Sequence, residues 1–213
     1  MGVSSSGADR RARLQDAHLY FVADRAGLER ALDGAVRGGV DIVQLRDKTA
    51  ADAEILAAAA WAAERCATHG ALFIVNDRPD LAARAGADGV HVGQDDTPVH
   101  RARAAVGPDA IVGLSTHSMQ QAQAGCKSAA DYIAVGPVHA TPTKEGRPAA
   151  GLELVRYAAA TATLPWFAIG GIEAANVADV VAAGATRVAV VRAIVEADDP
   201  ERAARELRAA LPD

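Results

Sequence analysis

Aromatic residues are scarce: they make up 4% of the chain, with two tryptophans, three tyrosines and three phenylalanines. A core for 213 residues must then be built from Ala, Val, Leu and Ile, and half of all residues are apolar. That length suffices for one well-packed domain. Cysteine is nearly absent. Cys66 and Cys126 stand alone, with the spacing of neither a metal site nor a redox pair. They read as small buried apolar side chains in a reducing, cytoplasmic setting. Basic residues are not in excess: 22 against 27 acidic ones leave a net charge of −5. This balance argues against nucleic acid or a membrane surface as a partner. No apolar run is long enough to cross a bilayer. Residues 1–16 are rich in Ser, Gly and Arg and lack the apolar stretch of a signal peptide. They read as a flexible tail ahead of a single domain over 17–213. A Walker loop and a dinucleotide fingerprint are also missing.

What is present is a repeat. Gly39-Val40-Asp41 before the apolar run 42–45 resembles Gly86-Ala87-Asp88 before 89–92. Ala129-Ala130-Asp131 before 132–135 and Gly184-Ala185-Thr186 before 187–190 continue it. Each reads as a helix end, a short link and a buried strand, with glycine suited to the helix cap. Further strand candidates lie at 18–23, 71–76, 110–115 and 165–169. A helical stretch follows each strand. Thr49 reads as the cap of a helix over 50–68, with Asp52 as its capping-box partner. Thr97-Pro98 and Asp199-Pro200 read as N-cap plus first helical residue. Near-continuous apolar strands alternating with helices indicate a parallel sheet covered by helices. About eight such units in this length point to a closed (β/α)8 TIM barrel. An open, doubly wound sheet is the structural alternative.

A barrel should gather its unusual polar residues at strand C-termini, and this chain does so. Gln44, Arg46 and Lys48 alternate with Val43 and Leu45, so they share one face at the end of the second strand. Asn76-Asp77 ends the third strand and His91-Val92-Gly93-Gln94-Asp95-Asp96 the fourth. Asp77 and Asp96 emerge from neighbouring strands, spaced about 4.8 Å apart. Two carboxylates so placed can hold one Mg²⁺, which keeps waters and binds phosphate as well; alone, each is equally a cap or turn residue. Ser115-Thr116-His117-Ser118 closes the fifth strand. Ser115 can donate to a phosphate oxygen, and His117 is either a proton shuttle or a helix-start residue. After the sixth strand come Gly136-Pro137-Val138-His139-Ala140-Thr141-Pro142-Thr143-Lys144. Two hydroxyls and an ammonium there suit a phosphorylated small molecule. Gly170-Gly171 and Arg192 follow strands seven and eight, where barrels commonly bind phosphate.

Taken together, these motifs resemble the thiamine phosphate synthase family, over about residues 19–194. The resemblance implies a (β/α)8 barrel that joins 4-amino-5-hydroxymethyl-2-methylpyrimidine diphosphate to 4-methyl-5-(2-hydroxyethyl)thiazole phosphate. Diphosphate leaves first, in a dissociative step, and the thiazole nitrogen then attacks. It also implies roles. Arg46, Lys48, Asn76, Ser115 and Lys144 would bind diphosphate, with Lys144, Arg46 and Ser115 catalytic. Mg²⁺ would bridge it to Asp77 and Asp96. Gln44 and His91 would hold the pyrimidine, and Thr141, Thr143 and the Gly171 backbone the thiazole phosphate. The chain departs from the family's pattern at Ala140, where many relatives have proline. It departs again at Arg192, where some have a phosphate-binding serine; the Arg fork would alter that contact. Loop 141–150 is the candidate lid. Oligomeric state is left open, a homo-oligomer included. Rival readings are a thiazole tautomerase with His117 as base, a sugar-phosphate epimerase, and a non-catalytic sensor of thiamine phosphates.

Overall fold

The apolar runs become eight strands: β1 (Leu19–Ala23), β2 (Ile42–Leu45), β3 (Leu72–Asn76), β4 (Gly89–Val92), β5 (Ile111–Thr116), β6 (Tyr132–Val135), β7 (Trp166–Ile169) and β8 (Val188–Val190). The structure, a computed structural model, describes residues 6–140 and 148–212. All strand pairs are parallel, in chain order, and β8 returns to β1 with Leu19 opposite Val188 and Phe21 opposite Val190. That closure makes the sheet a (β/α)8 barrel and excludes the open sheet. Around it lie α2 (Arg25–Arg37), α3 (Asp52–Thr68), α4 (Pro79–Ala85), α5 (Val99–Val106), α6 (Met119–Cys126), α7 (Gly151–Thr161), α8 (Val177–Ala182), α9 (Arg192–Val195) and α10 (Pro200–Ala209).

Strands buried on both faces feed two separate cores. Phe21, Val43, Phe73, Val90, Val112, Ile133 and Val188 pack outward under the helices, against a largely aliphatic layer. Tyr20, Ile42, Leu72, Ile74, Ile111, Tyr132 and Phe167 point into the barrel. The scarcity of aromatics thus misleads about the interior, where Tyr20, Tyr132 and Phe167 meet edge to face. Their ring centroids lie 5.4–5.9 Å apart.

The repeat found in the sequence has a mechanical role. Asp41 N–H donates to Leu19 O at 2.9 Å, while its carboxylate accepts from Leu19 N at 2.9 Å. Asp88 does the same to Phe73, at 2.8 and 3.0 Å, and Asp131 to Val112, at 2.7 and 2.8 Å. Each aspartate therefore clamps an even strand to the odd strand before it, at the foot of the barrel. Thr186, in the fourth repeat, makes no such clamp among the described residues.

Residues 6–16 correct the expectation of a flexible tail. They form a capped helix, α1 (Gly7–Asp16), in which Ser6 Oγ accepts from Asp9 N at 3.2 Å. Arg10 pairs with Asp88 at 2.9 Å and Arg11 with Asp131 at 2.8 Å, so the helix docks on two of the clamps. Leu14 and Ala17 then plug the lower end of the barrel. Two helix starts are corrected as well. Thr49 is held by Asp47, whose Oδ1 accepts from both its N (3.1 Å) and Oγ1 (3.0 Å), and α3 begins only at Asp52. Pro98 keeps an extended ψ of 141° and precedes α5 instead of opening it. Asp199 caps α10 as expected, accepting from Arg202 N at 3.0 Å.

Asp131→Ala should lower stability by about 1–3 kcal/mol, because the Val112 N–H and the guanidinium groups of Arg11 and Arg103 lose their acceptor. Thr186→Ala, at the matching position without a clamp, should change it little. Denaturant unfolding of both variants checks the difference.

Candidate active site

The polar residues at the upper strand ends form two clusters. The first lies inside the barrel. Gln44 Nε2 donates to the Tyr20 hydroxyl at 2.6 Å, which is 2.8 Å from the Tyr132 hydroxyl. Tyr132 meets His91 Nδ1 at 3.0 Å, and His91 Nε2 meets Ser115 Oγ at 2.9 Å. All five side chains are buried. Burial raises both phenols, so they stay protonated at working pH. Gly113 makes this possible: a Cβ there would overlap the Tyr132 ring and lie 2.5 Å from His91 Nδ1. Sequence reasoning found Gln44, His91 and Ser115 but missed both tyrosines, which sat unmarked in apolar runs.

The second cluster sits on the rim above β3 and β4, which pair with Asn76 opposite His91. Asp77 leaves β3 with φ +59°, a left-handed conformation that Asp tolerates better than most residues. Its N–H donates to His91 O at 2.8 Å. The turn aims its carboxyl at Asp96, close enough for the two to share a hydrogen bond. Asp96 is braced by Gly93 N, which donates to its Oδ2 at 2.9 Å. Burial, then the Asp96 carboxyl beside it, holds Asp77 above the usual carboxylate range; Lys48 Nζ, 3.2 Å from Asp77 Oδ2, pulls the other way. Among the described residues, two crowded carboxylates thus stand beside one exposed ammonium. Lys48 reaches this cluster although β2 ends at Leu45: Arg46 and Lys48 lie past the strand, so they do not continue its alternating face. Asp47 turns the chain there by accepting from Thr49 and Ala50. Arg46 is half-buried just beyond β2, held through its N–H to Ala23 O at 2.7 Å.

The loops after β6, β7 and β8 enclose a cavity lined by Gly136, Pro137, Gly171, Ile172, Val191 and Arg192, among others. Gly170 (φ +108°) and Gly171 (φ +63°) leave no room for a side chain: a Cβ would lie 2.5 Å from Pro137 Cα and 2.8 Å from His139 Cβ. These glycines let the β6 loop lie flat on the β7 loop as well as baring backbone to the cavity. Asn176, unmarked in the sequence, shapes this wall by donating to Gly171 O at 2.8 Å. His117 ties the fifth strand end to the sixth, its Nδ1 2.6 Å from Gly136 O, while Ser118 caps α6. Thr141, Thr143 and Lys144, with most of the candidate lid, lie outside the described residues.

The raised Asp77 carboxyl has a consequence for stability. Its folded-state value exceeds the unfolded one, so ionisation costs stability as pH rises from the unfolded value through the folded one. Above both values, that cost is complete. Asp77→Asn removes the charge and keeps a side chain that tolerates φ > 0. In chelator at pH 7, its thermal midpoint should exceed that of the wild type. The gap should close as pH falls toward the unfolded value, and a midpoint-versus-pH series checks it.

A sequence profile described as thiamine monophosphate synthase matches residues 19–194. The thiamine-phosphate synthase of Saccharopolyspora erythraea is 53% identical over 213 positions, spanning 94% of this chain and 96% of that protein. The one from Acidothermus cellulolyticus is 52% identical over 207 positions, spanning 94% and 98%. Among solved structures, thiamine phosphate pyrophosphorylase from Pyrococcus furiosus superposes with a TM-score of 0.85 at 32% identity, spanning 94% of this chain and 96% of that one. With a profile match from β1 into α9, and half of the aligned positions shared with relatives covered over 96–98% of their length, the chain belongs to the thiamine monophosphate synthase family.

Proposed function

We propose that this chain is a thiamine-phosphate synthase, a transferase that joins the pyrimidine diphosphate to the thiazole phosphate and releases diphosphate. The single observation that carries the reading is the match in sequence and fold over nearly the whole barrel. The site chemistry supports it. Departure of diphosphate from the pyrimidine methylene leaves a cationic carbon and needs no protein nucleophile; the work is to hold the departing negative charge. Lys48 and Arg46 stand past β2 on the same rim as Asn76, where they would bind that diphosphate. Ser115 would donate a hydroxyl to it from below, and Lys144 would bind it as well. Gln44 and His91, at the top of the buried column, would hold the pyrimidine ring. Gly171 and Arg192 line a separate cavity, suited to the thiazole phosphate together with Thr141 and Thr143.

Asp77 and Asp96 would hold Mg²⁺. Their all-oxygen, crowded donor set suits a hard cation that fills its remaining positions with water and phosphate. Bound there, the ion would supply positive charge against the diphosphate oxygens. Free cysteines are consistent with a cytoplasmic setting, and no helix among the described residues is long and apolar enough to cross a membrane.

Thiamine phosphate formation from the two substrates should require Mg²⁺ and stop in chelator. Folded protein that makes no product with Mg²⁺ present would overturn the reading. Asp77→Ala should lower Mg²⁺-dependent turnover with the fold intact. Lys144→Ala should lower kcat by about 10²–10³, the loss expected for one transition-state donor, and leave the thermal midpoint nearly unchanged.

A further inference from the structure

The buried column from Gln44 to Ser115 is a chain of groups that each have few ways to place a proton. An amide nitrogen only donates, a phenol donates once, and a neutral imidazole carries one N–H. Gln44 Nε2 faces Tyr20, so the Tyr20 oxygen accepts. The remaining neighbour for the Tyr20 proton is the Tyr132 hydroxyl. Were Tyr132 to donate back to Tyr20 instead, Tyr20 would keep a proton with no acceptor in a place 1% exposed. Buried donors are rarely left so. Tyr20 therefore donates to Tyr132. The Tyr132 proton then goes to His91 Nδ1, which must be the unprotonated nitrogen. His91 carries its proton on Nε2 and donates it to Ser115 Oγ.

We propose that Gln44, Tyr20 and Tyr132 form a one-way hydrogen-bond chain that holds His91 as its Nε2–H tautomer and commits Ser115 to donating its hydroxyl proton. Tyr20 and Tyr132 are positioning residues, acting through His91. Run in reverse, the same atoms would make Ser115 give its proton to His91 and offer only a lone pair upward, which repels an anion. The chain thus selects between a Ser115 that binds phosphate oxygens and one that does not. That the acceptor is a substrate diphosphate rests on the synthase reading; the direction of the chain does not.

Nitrogen NMR of the full chain labelled with ¹⁵N-histidine tests it, with His91 assigned among the six histidines by comparison with His91→Gln. Near neutral pH, Nδ1 should resonate as an unprotonated, pyridine-like nitrogen and Nε2 as a protonated, pyrrole-like one. Tyr132→Phe removes the donor to Nδ1 and should move His91 to a mixture of tautomers, without the loss of fold that circular dichroism would report. A protonated Nδ1 in the wild type would overturn the proposal and mean that Gln44 presents its carbonyl to Tyr20. An unchanged His91 spectrum in folded Tyr132→Phe would also overturn it. Should that variant not fold, the wild-type spectrum alone decides. In turnover, Tyr132→Phe and Ser115→Ala should each lower kcat, and the double variant should be little worse than Ser115→Ala. Additive losses would overturn the coupling. The expected tautomer in a protein without synthase activity would instead retire the synthase reading and leave the chain standing.

Discussion

Three carboxylates at the foot of the barrel set the register on which everything above them depends. In a parallel pair, a slip of one residue exchanges every inward side chain for an outward one. Asp41, Asp88 and Asp131 each fix a strand to its neighbour by two opposed hydrogen bonds to a single residue. With Asp88 bound to Phe73, Asn76 comes out opposite His91. Asp77 and Asp96 then leave adjacent strand ends and meet. The same registers turn Gln44, His91 and Ser115 into the barrel together. Shifted by one place, all three would face the helices, and the buried column would not exist.

The two cores divide the labour of stability and chemistry. Between strands and helices the packing is aliphatic and tolerant, the kind of core that depends on volume more than on pairing. Inside, an eight-stranded barrel has room only for its own side chains. Tyrosine suits that space because it brings bulk below and a hydroxyl above. Tyr20 and Tyr132 therefore fill the interior and wire it at once, and Gly113 supplies the gap that lets Tyr132 reach His91. Crowding at the rim is different in kind. Asp77 and Asp96 are held together against their own repulsion, at a cost to the stability of the fold.

The strands and the barrel were legible because long apolar runs recur at a regular spacing, and the rim residues because polar groups there interrupt those runs. Asp77 and Asp96 needed only their positions at neighbouring strand ends. Tyr20 and Tyr132 were not legible: a strand buried on both faces shows no alternation, so nothing in the chain marks which apolar positions point inward. The α1 helix was missed for the opposite reason. It has almost no apolar face, and arginines paired with Asp88 and Asp131 dock it, partners distant in sequence. Thr49 and Thr97 misplaced two helix starts because a side chain that can cap a helix can also take part in a local turn. At Thr49, Asp47 won that competition.

With Leu14 seated under the interior rings, the barrel is a vessel closed at one end. On the synthase reading, substrates and products would share the opening above Asp77 and Ser115. Diphosphate that lingered there would occupy the place the next pyrimidine diphosphate must take. Inhibition by that product, competitive toward the pyrimidine substrate, would then follow from the architecture: a one-door room must empty before it refills.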